Sequence, residues 1–410
     1  MSADRALLSD LVTYLNRGVA PKYVEAGGIR VYNQKCVRDQ RISEGPSRRT
    51  QASHRSTQME KELRQFDILV NSTGVGTLGR VGQFFELNES ATADSHLTIV
   101  RPDSEKIDPL FLGYVLKAYE SEIEKLGEGS TGQTELSRAK LGSLEINVIP
   151  RDAQKSASAF LYSIDKRLNI LRRIGVHLDE FARALFKERF GDGLNQGWPT
   201  SQLSEHITAQ RGLSYKGSGL CGPSEGVPMH NLNSVYEGGG YKYPGIKFYK
   251  GEFKERHVLK PGDIIVANTE QGHEHRLIGF PAVVPAIFGE SGIYSQHIYR
   301  VVPADSTYLS REFIYYLLMA STVREQVIGA TNGSTVNMLA LSGLQDSTFS
   351  LPPRELVDQF TASISPLWKM VERNEKESRD LISLRDFLLP QLISGELKIN
   401  GSEELLGVRP

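Results

Sequence analysis

The strongest constraint in this chain is that it is written twice. LLSDLVT at 7–13 returns as QLSEHIT at 202–208, and each copy leads into an Arg-Gly pair, Arg17-Gly18 and Arg211-Gly212. DILVNSTG at 67–74 returns as DIIVANTE at 263–270, and HLTIVRP at 96–102 returns as HIYRVVP at 297–303. FLGYVLKA at 111–118 matches FIYYLLMA at 313–320, STGQT at 130–134 matches TNGST at 331–335, and Ile149-Pro150 matches Leu351-Pro352. The offset drifts only from about 195 to about 203, always in chain order. Self-similarity of this kind means one structural unit used twice. The length of 410 residues accommodates two such units with connections.

After each Ile/Leu-Pro the pattern becomes that of a long helix. Ala157, Leu161, Ile164, Leu168, Leu171, Gly175, Leu178, Ala182 and Leu185 fall at alternating steps of four and three. That spacing is a coiled-coil seam. Phe360, Ile364, Leu367, Val371, Asn374, Ser378, Leu381, Arg385 and Leu388 repeat the same steps. Helices of about 35–40 residues span roughly 50–60 Å at about 1.5 Å per residue. The expected fold class is therefore α+β. Two repeated α/β domains, at 1–150 and 191–352, alternate with spacer helices at 151–190 and 353–395, and a tail at 396–410 follows. Paired as an antiparallel coiled coil, the helices would relate the domains by an approximate two-fold.

Apolar residues make up 39% and charged residues 24% of the chain, and the net charge is −1. No segment approaches the roughly 18–20 apolar residues that would cross a bilayer, so a cytoplasmic chain without a membrane partner is expected. Cys36 and Cys221 are far apart and have no CxxC partner, so neither a disulfide framework nor a thiolate zinc site is indicated.

Chemistry-bearing motifs are weak. Gly74, Gly76 and Gly79 spell GxGxxG after a strand-like run, the opening of a dinucleotide-binding turn and hence of a nucleotide-binding oxidoreductase. The context fails, because another strand-like run, Arg80–Phe85, follows where a helix is needed, and the second copy keeps only Gly272 and Gly279. Asp108-Pro109-Leu110-Phe111 comes within one residue of an amino-methyltransferase tetrapeptide but reads better as a helix cap, with Pro109 at the first helical position. No GxxxxGK[ST] loop is present. His273 and His275 flank Glu274 without a clear third ligand, so no metal site is expected. No set of residues stands out as catalytic.

Binding residues are better represented. Between Arg30 and Arg55 lie seven basic residues, Arg30, Lys35, Arg38, Arg41, Arg48, Arg49 and Arg55, against only Asp39 and Glu44. The corresponding part of the second copy is rich in Gly, Tyr and Lys. Its candidates are Arg211, Tyr215, Lys216, Tyr241, Lys242, Tyr243 and Lys247. Basic residues neutralise phosphates, and polar and aromatic ones read or stack on bases, so these segments are candidate nucleic-acid contacts. Thr73, Thr77 and Arg80 in the glycine turn, Arg276 in its counterpart, and Gln133, Ser334 and Thr335 in the two Gly/Ser/Thr segments complete the set. A charge run more often is a solvated face, which is the alternative here.

The whole chain resembles a specificity subunit of a Type I restriction-modification system. The resemblance rests on the double repeat, on the helix ending LISLRDFLLPQLISGELKI, on the turn from Asp67 to Gly82, and on GSTGQTELS at 129–137. It implies two target recognition domains, each reading half of a bipartite site in double-stranded DNA. It further implies helices that dock two modification (methyltransferase) subunits, and a chain that is not itself an enzyme and holds no cofactor. S-adenosylmethionine, ATP and Mg would belong to those subunits and to motor-nuclease restriction subunits. Leu161, Leu168 and Leu178 on the first helix, and Phe360, Leu367, Leu381 and Leu388 on the second, are the expected docking residues. A specificity partner of a fused methylase-nuclease is the nearest alternative. The second copy departs from the family's Gly-Ser-Thr-Gln segment, reading Asn332-Gly333-Ser334-Thr335-Val336.

Overall fold

A computed structural model describes residues 4–51, 59–129, 134–193, 195, 197–272, 274–333 and 336–399. The chain divides into two compact units, residues 1–169 with 379–410, and residues 170–378. In the first unit an antiparallel sheet runs in the order Val12–Arg17, Leu97–Pro102, Ile68–Asn71, Val81–Gln83. Side chains of a strand alternate between faces, and here both faces are covered. Ile68, Val70 and Val100 enter one core with the helix Pro109–Ala118, while Leu69, Leu97 and Ile99 enter another beneath a second sheet. That double burial is why ILVN reads as an unbroken apolar run rather than an alternating one.

The second unit is built to the same plan, in the order Ile207–Arg211, Ile298–Pro303, Ile264–Ala267, Pro281–Val283. The repeat holds to the register. Ile68 faces Val100 as Ile264 faces Val301, and Asn71 faces Leu97 as Ala267 faces Ile298. Val12–Arg17 is one residue longer than Ile207–Arg211, and a register shift at Arg101/Pro102 absorbs the extra residue. A one-residue slip without such a bulge would exchange the two buried faces.

The second sheet carries Arg30, Arg48 and Arg49 in the first unit and Lys247 in the second. In the first unit its order is Ala91–Ala93, Ile29–Tyr32, Arg48–Thr50, Tyr23–Val24, and the Ala91–Ala93 and Ile29–Tyr32 strands are parallel. The second unit has Leu220–Cys221, Lys247–Tyr249, Val227–His230, Gly292–Tyr294 and Val258–Leu259, with Gly292–Tyr294 parallel to Val227–His230. The Arg-Gly pairs mark where the chain passes from one layer to the other. A Cβ on Gly18 would lie 2.0 Å from the Ala93 carbonyl oxygen, and one on Gly212 would lie 2.3 Å from that of Ser295. Only glycine permits that approach.

The long helices are Arg151–Phe190 and Arg354–Ser394. In the first unit Arg385 meets Asp165 at 3.2 Å and Gly395 lies against Ile149, so the two helix ends there run antiparallel. In the second unit Phe186 and Phe190 pack on Phe360 with ring centroids 5.6 and 5.3 Å apart. This packing corrects part of the docking expectation. Leu161, Leu168 and Phe360 are shut inside their units, and a side chain that is 0–2% exposed offers nothing to another subunit. Leu178, Leu367, Leu381 and Leu388 are half-buried. Among the described residues no helix is long and apolar enough to cross a membrane.

Candidate nucleic-acid interface

Two of the seven basic residues from the first copy share a carboxylate distant in sequence. Arg30 donates from Nε to Glu89 at 2.7 Å, and Arg49 donates from Nη2 to the other oxygen of Glu89 at 2.8 Å. The two guanidiniums hold the Glu89 carboxyl below the usual carboxylate range. Arg30 also reaches Ser47 Oγ at 2.8 Å and Glu44 at 3.7 Å. Arg48 is different. Its guanidinium lies 3.6 Å over the centroid of Tyr23, itself 42% exposed. Tyr23 faces Thr50 across the strands, so Arg48 is its diagonal neighbour on the same face. Tyr23, Arg30, Arg48, Arg49, Glu25 and Glu44 line an open groove of about 800 Å³.

Arg38 and Arg41 flank a two-residue hairpin whose tip, Asp39-Gln40, has φ of 53° and 59°. Both central residues in the left-handed region make a turn whose twist matches that of the strands. Gly82 lies under this hairpin, and a Cβ there would come within 2.6 Å of Ile42. Lys35 sits on the short helical turn Gln34–Cys36, which Asn33 caps. Lys35, Arg38 and Arg41 make no ion pair among the described residues, and Lys35 and Arg38 are exposed. Arg55 and Gln133, and Ser334 and Thr335 of the second copy, lie outside the described residues, as does His273.

In the second unit Lys247 occupies the place of Arg48, since Lys247 faces Met229 as Arg48 faces Val31. Its Nζ lies 6.0 Å from the ring centroid of Tyr215, which packs edge-on to Tyr249. Lys242 lies 5.9 Å over Tyr236, and Tyr243 packs against Tyr241. Tyr241 itself is core, with its hydroxyl 2.8 Å from His230 Nδ1. Arg211 donates to the carbonyl of Gln296 at 3.1 Å, as Arg17 donates to Ser95 at 3.0 Å, so this pair of arginines clamps the same loop in each copy. Lys216 is exposed beside the turn Gly217–Gly219, and Arg276 pairs with Glu274 at 2.8 Å.

The GxGxxG segment is a β-hairpin connection. Val70 faces Val81 across the antiparallel pair, and no helix follows, so the dinucleotide reading fails. Gly74, Gly76 and Gly79 have φ of 99°, 71° and 88°. Gly79 also lets the loop press on a helix, where a Cβ would lie 2.8 Å from Glu124 N. Gly279 does the same against Val327, so one glycine of the triplet is common to both units. The Thr77 hydroxyl donates back to the Thr73 carbonyl at 3.2 Å, and Thr73 Oγ1 lies 2.9 Å from His96 Nδ1. The second unit repeats that pair as Thr269 and His297 at 3.2 Å. Arg80 donates to the Gly76 carbonyl at 2.9 Å. Where the first loop has Gly74, the second has Glu270, whose carboxylate accepts backbone N–H groups of Arg276, Leu277 and Ile278 at 2.9–3.1 Å.

Sequence reasoning missed Glu89 and Tyr23. Glu89 lies 40 positions from Arg49 and 59 from Arg30, and nothing local marks it as their partner. Tyr23 is a lone exposed tyrosine until the strands bring Arg48 beside it. Among the described residues no group of three or more His, Cys, Asp or Glu could hold a metal ion.

Comparison with known proteins places these features. Residues 8–178 match the family model described as the Type I restriction modification DNA specificity domain. The MjaIX specificity subunit of Methanocaldococcus jannaschii, a Type I restriction enzyme subunit, is 20% identical over 337 residues, covering 76% of this chain and 74% of that one. The HindI specificity subunit of Haemophilus influenzae is 20% identical over 422 residues, covering 83% and 88%. The crystal structure of the Type I restriction-modification S subunit from M. genitalium has the same fold, with a TM-score of 0.57 and 16% identity over 96% of this chain and 99% of that one. The resemblance carried by the double repeat is borne out.

Proposed function

We propose that this chain is the DNA-specificity subunit of a Type I restriction-modification system, with each unit reading one half of a bipartite target in duplex DNA. One observation carries the reading. The same two-layer fold occurs twice in register, yet the strands that carry basic and aromatic groups differ in side chains, as two unlike half-sites require. The chain itself performs no chemistry. Modification subunits supply S-adenosylmethionine and methylate adenine, and motor-nuclease subunits supply ATP hydrolysis with Mg. Because Leu161, Leu168 and Phe360 are buried, docking falls to the outer helix faces, where Phe181, Ile382 and Phe387 are 36–68% exposed. Mapping DNA methylation in the host with and without this chain tests the reading. The expected result is a split, asymmetric motif that loses its methylation when the chain is deleted. An unchanged methylation pattern would overturn it.

A further inference from the structure

We propose that Arg48 and Lys247, each held against a tyrosine, are equivalent phosphate anchors of the two half-sites, whereas the residues beside them read sequence. The inference rests on the DNA-specificity reading and concerns the division of labour within each unit.

The argument comes from comparing the two copies position by position. Arg48 and Lys247 stand at the same register place on the same strand, facing Val31 and Met229. In both units the cation lies over a tyrosine ring, at 3.6 Å for Tyr23 and 6.0 Å for Tyr215. The tyrosines come from different places, one from a paired strand and one from the preceding loop. The arrangement has therefore been kept while its parts changed. The two cations share charge but not shape. A guanidinium offers a planar fork that suits bidentate pairing, and an ammonium is a point charge. A phosphate accepts either one, whatever the sequence around it. What both copies retain is thus the contact that positions DNA without specifying sequence.

The neighbouring position behaves oppositely. The cross-strand pair Arg30 and Arg49 in the first unit corresponds to Pro228 and Phe248 in the second. Arg30 and Arg49 are further fixed by Glu89, at 2.7 and 2.8 Å. A braced pair of forks in one copy and an apolar pair in the other cannot read the same base. Glu25 and Glu44 line the groove with Arg48, so its attraction is local and does not come from a uniformly basic face. Neither Arg48 nor Lys247 makes an ion pair among the described residues.

The test uses the full chain, co-purified with its modification partner, on two duplexes, one carrying the methylated motif and one scrambled. Binding is measured from 50 to 200 mM KCl. Removing one phosphate contact lowers the slope of log K against log salt by about 0.9, equivalent to about a 3-fold smaller loss of affinity over that range. Arg48→Met and Lys247→Met keep a side chain over the tyrosine but remove the charge. Each should weaken both duplexes by the same factor, lower the slope, and leave the methylated sequence unchanged. Arg48→Lys should restore the slope. Unchanged affinity and slope in both Met variants would overturn the proposal, as would an altered methylation motif. If the unsubstituted complex prefers neither duplex, the specificity reading itself fails, and the salt slope on the scrambled duplex still decides whether these residues meet phosphate.

Discussion

The two units solve one packing problem with opposite chemistry. In the first, the Tyr114 hydroxyl donates to Asp165 at 2.9 Å, and Asp165 also meets Lys117 at 3.4 Å and Arg385 at 3.2 Å. Lys117 is 3% exposed, and burial pulls its ammonium below the ordinary lysine value while Asp165 opposes that shift. The repeat puts Tyr316, Met319, Trp368 and Ala182 in the corresponding places of the second unit. There Trp368 Nε1 donates to the Tyr316 hydroxyl at 3.3 Å and the surroundings are aromatic, with Tyr315, Phe186 and Phe360 close by. Fold and register thus tolerate either a charge cluster or an aromatic cluster at this point. They differ in what happens when one member is lost. An apolar cluster loses contacts in proportion to what is removed, while a buried charge cluster leaves unpaired charge behind.

The largest expected effect follows directly. Asp165→Ala strands Lys117, leaves Arg385 with Asp386 alone at 2.9 Å, and should cost about 3–5 kcal/mol in denaturant unfolding. Trp368→Phe, at a half-buried site, should cost under about 1.5 kcal/mol. Similar losses would break the comparison. Grafting the second unit's set onto the first, as Lys117→Met, Asp165→Trp and Arg385→Ala together, should leave stability unchanged or raise it by about 1–4 kcal/mol. A graft as damaging as Asp165→Ala would show that the charges do more than fill the site.

Acid should separate the units next. His230 is buried, and burial pushes its imidazole from 6.5 down to about 4, whereas the corresponding residue in the first unit is Tyr32, which takes no proton. Because the folded value lies below the unfolded one, the unfolded chain binds the proton first as pH falls. The contribution is therefore fully present above about 6.5 and lost as pH drops through about 4. The loss amounts to about 3 kcal/mol from the second unit. His206, His257 and His297, all in that unit, are lowered by burial as well and act in the same direction. Unfolding followed from pH 7 to 4 by hydrogen exchange should show protection falling first in residues 170–378, and His230→Gln should reduce the difference. Equal loss in both units would sink this.

The smallest effect concerns the hairpin loops. Gly76→Ala meets open space and should cost only the left-handed backbone term, about 1–2 kcal/mol. Gly79→Ala adds a 2.8 Å approach to Glu124 N and should cost measurably more. Thermal melting of the two variants compares them, and equal losses would mean that the loop does not press on the helix.

The hairpins also show what could be read without coordinates. Pairing DILVNSTG with DIIVANTE and HLTIVRP with HIYRVVP amounts to a statement about strand register, and the ladders obey it at every paired position. The failure of GxGxxG as a nucleotide turn was equally legible, because a strand-like run follows the glycines. Seam periodicity was legible as burial, but not as burial against what. A step of three and four marks a covered face whether the cover is another subunit or, as for Leu161 and Phe360, the chain's own core.

By itself the sequence determined duplication, the register shared by the two copies and the positions of the long helices, because periodicity and repetition are local properties that any fold must satisfy. Tertiary structure alone decided which charges remain available. Glu89 pairs with Arg30 and Arg49 from 59 and 40 positions away and fixes their forks, while Tyr23 props up Arg48. Electrostatics depends on distance in space, and a loop folded beside a sheet can offset charge that a stretch of sequence displays in full.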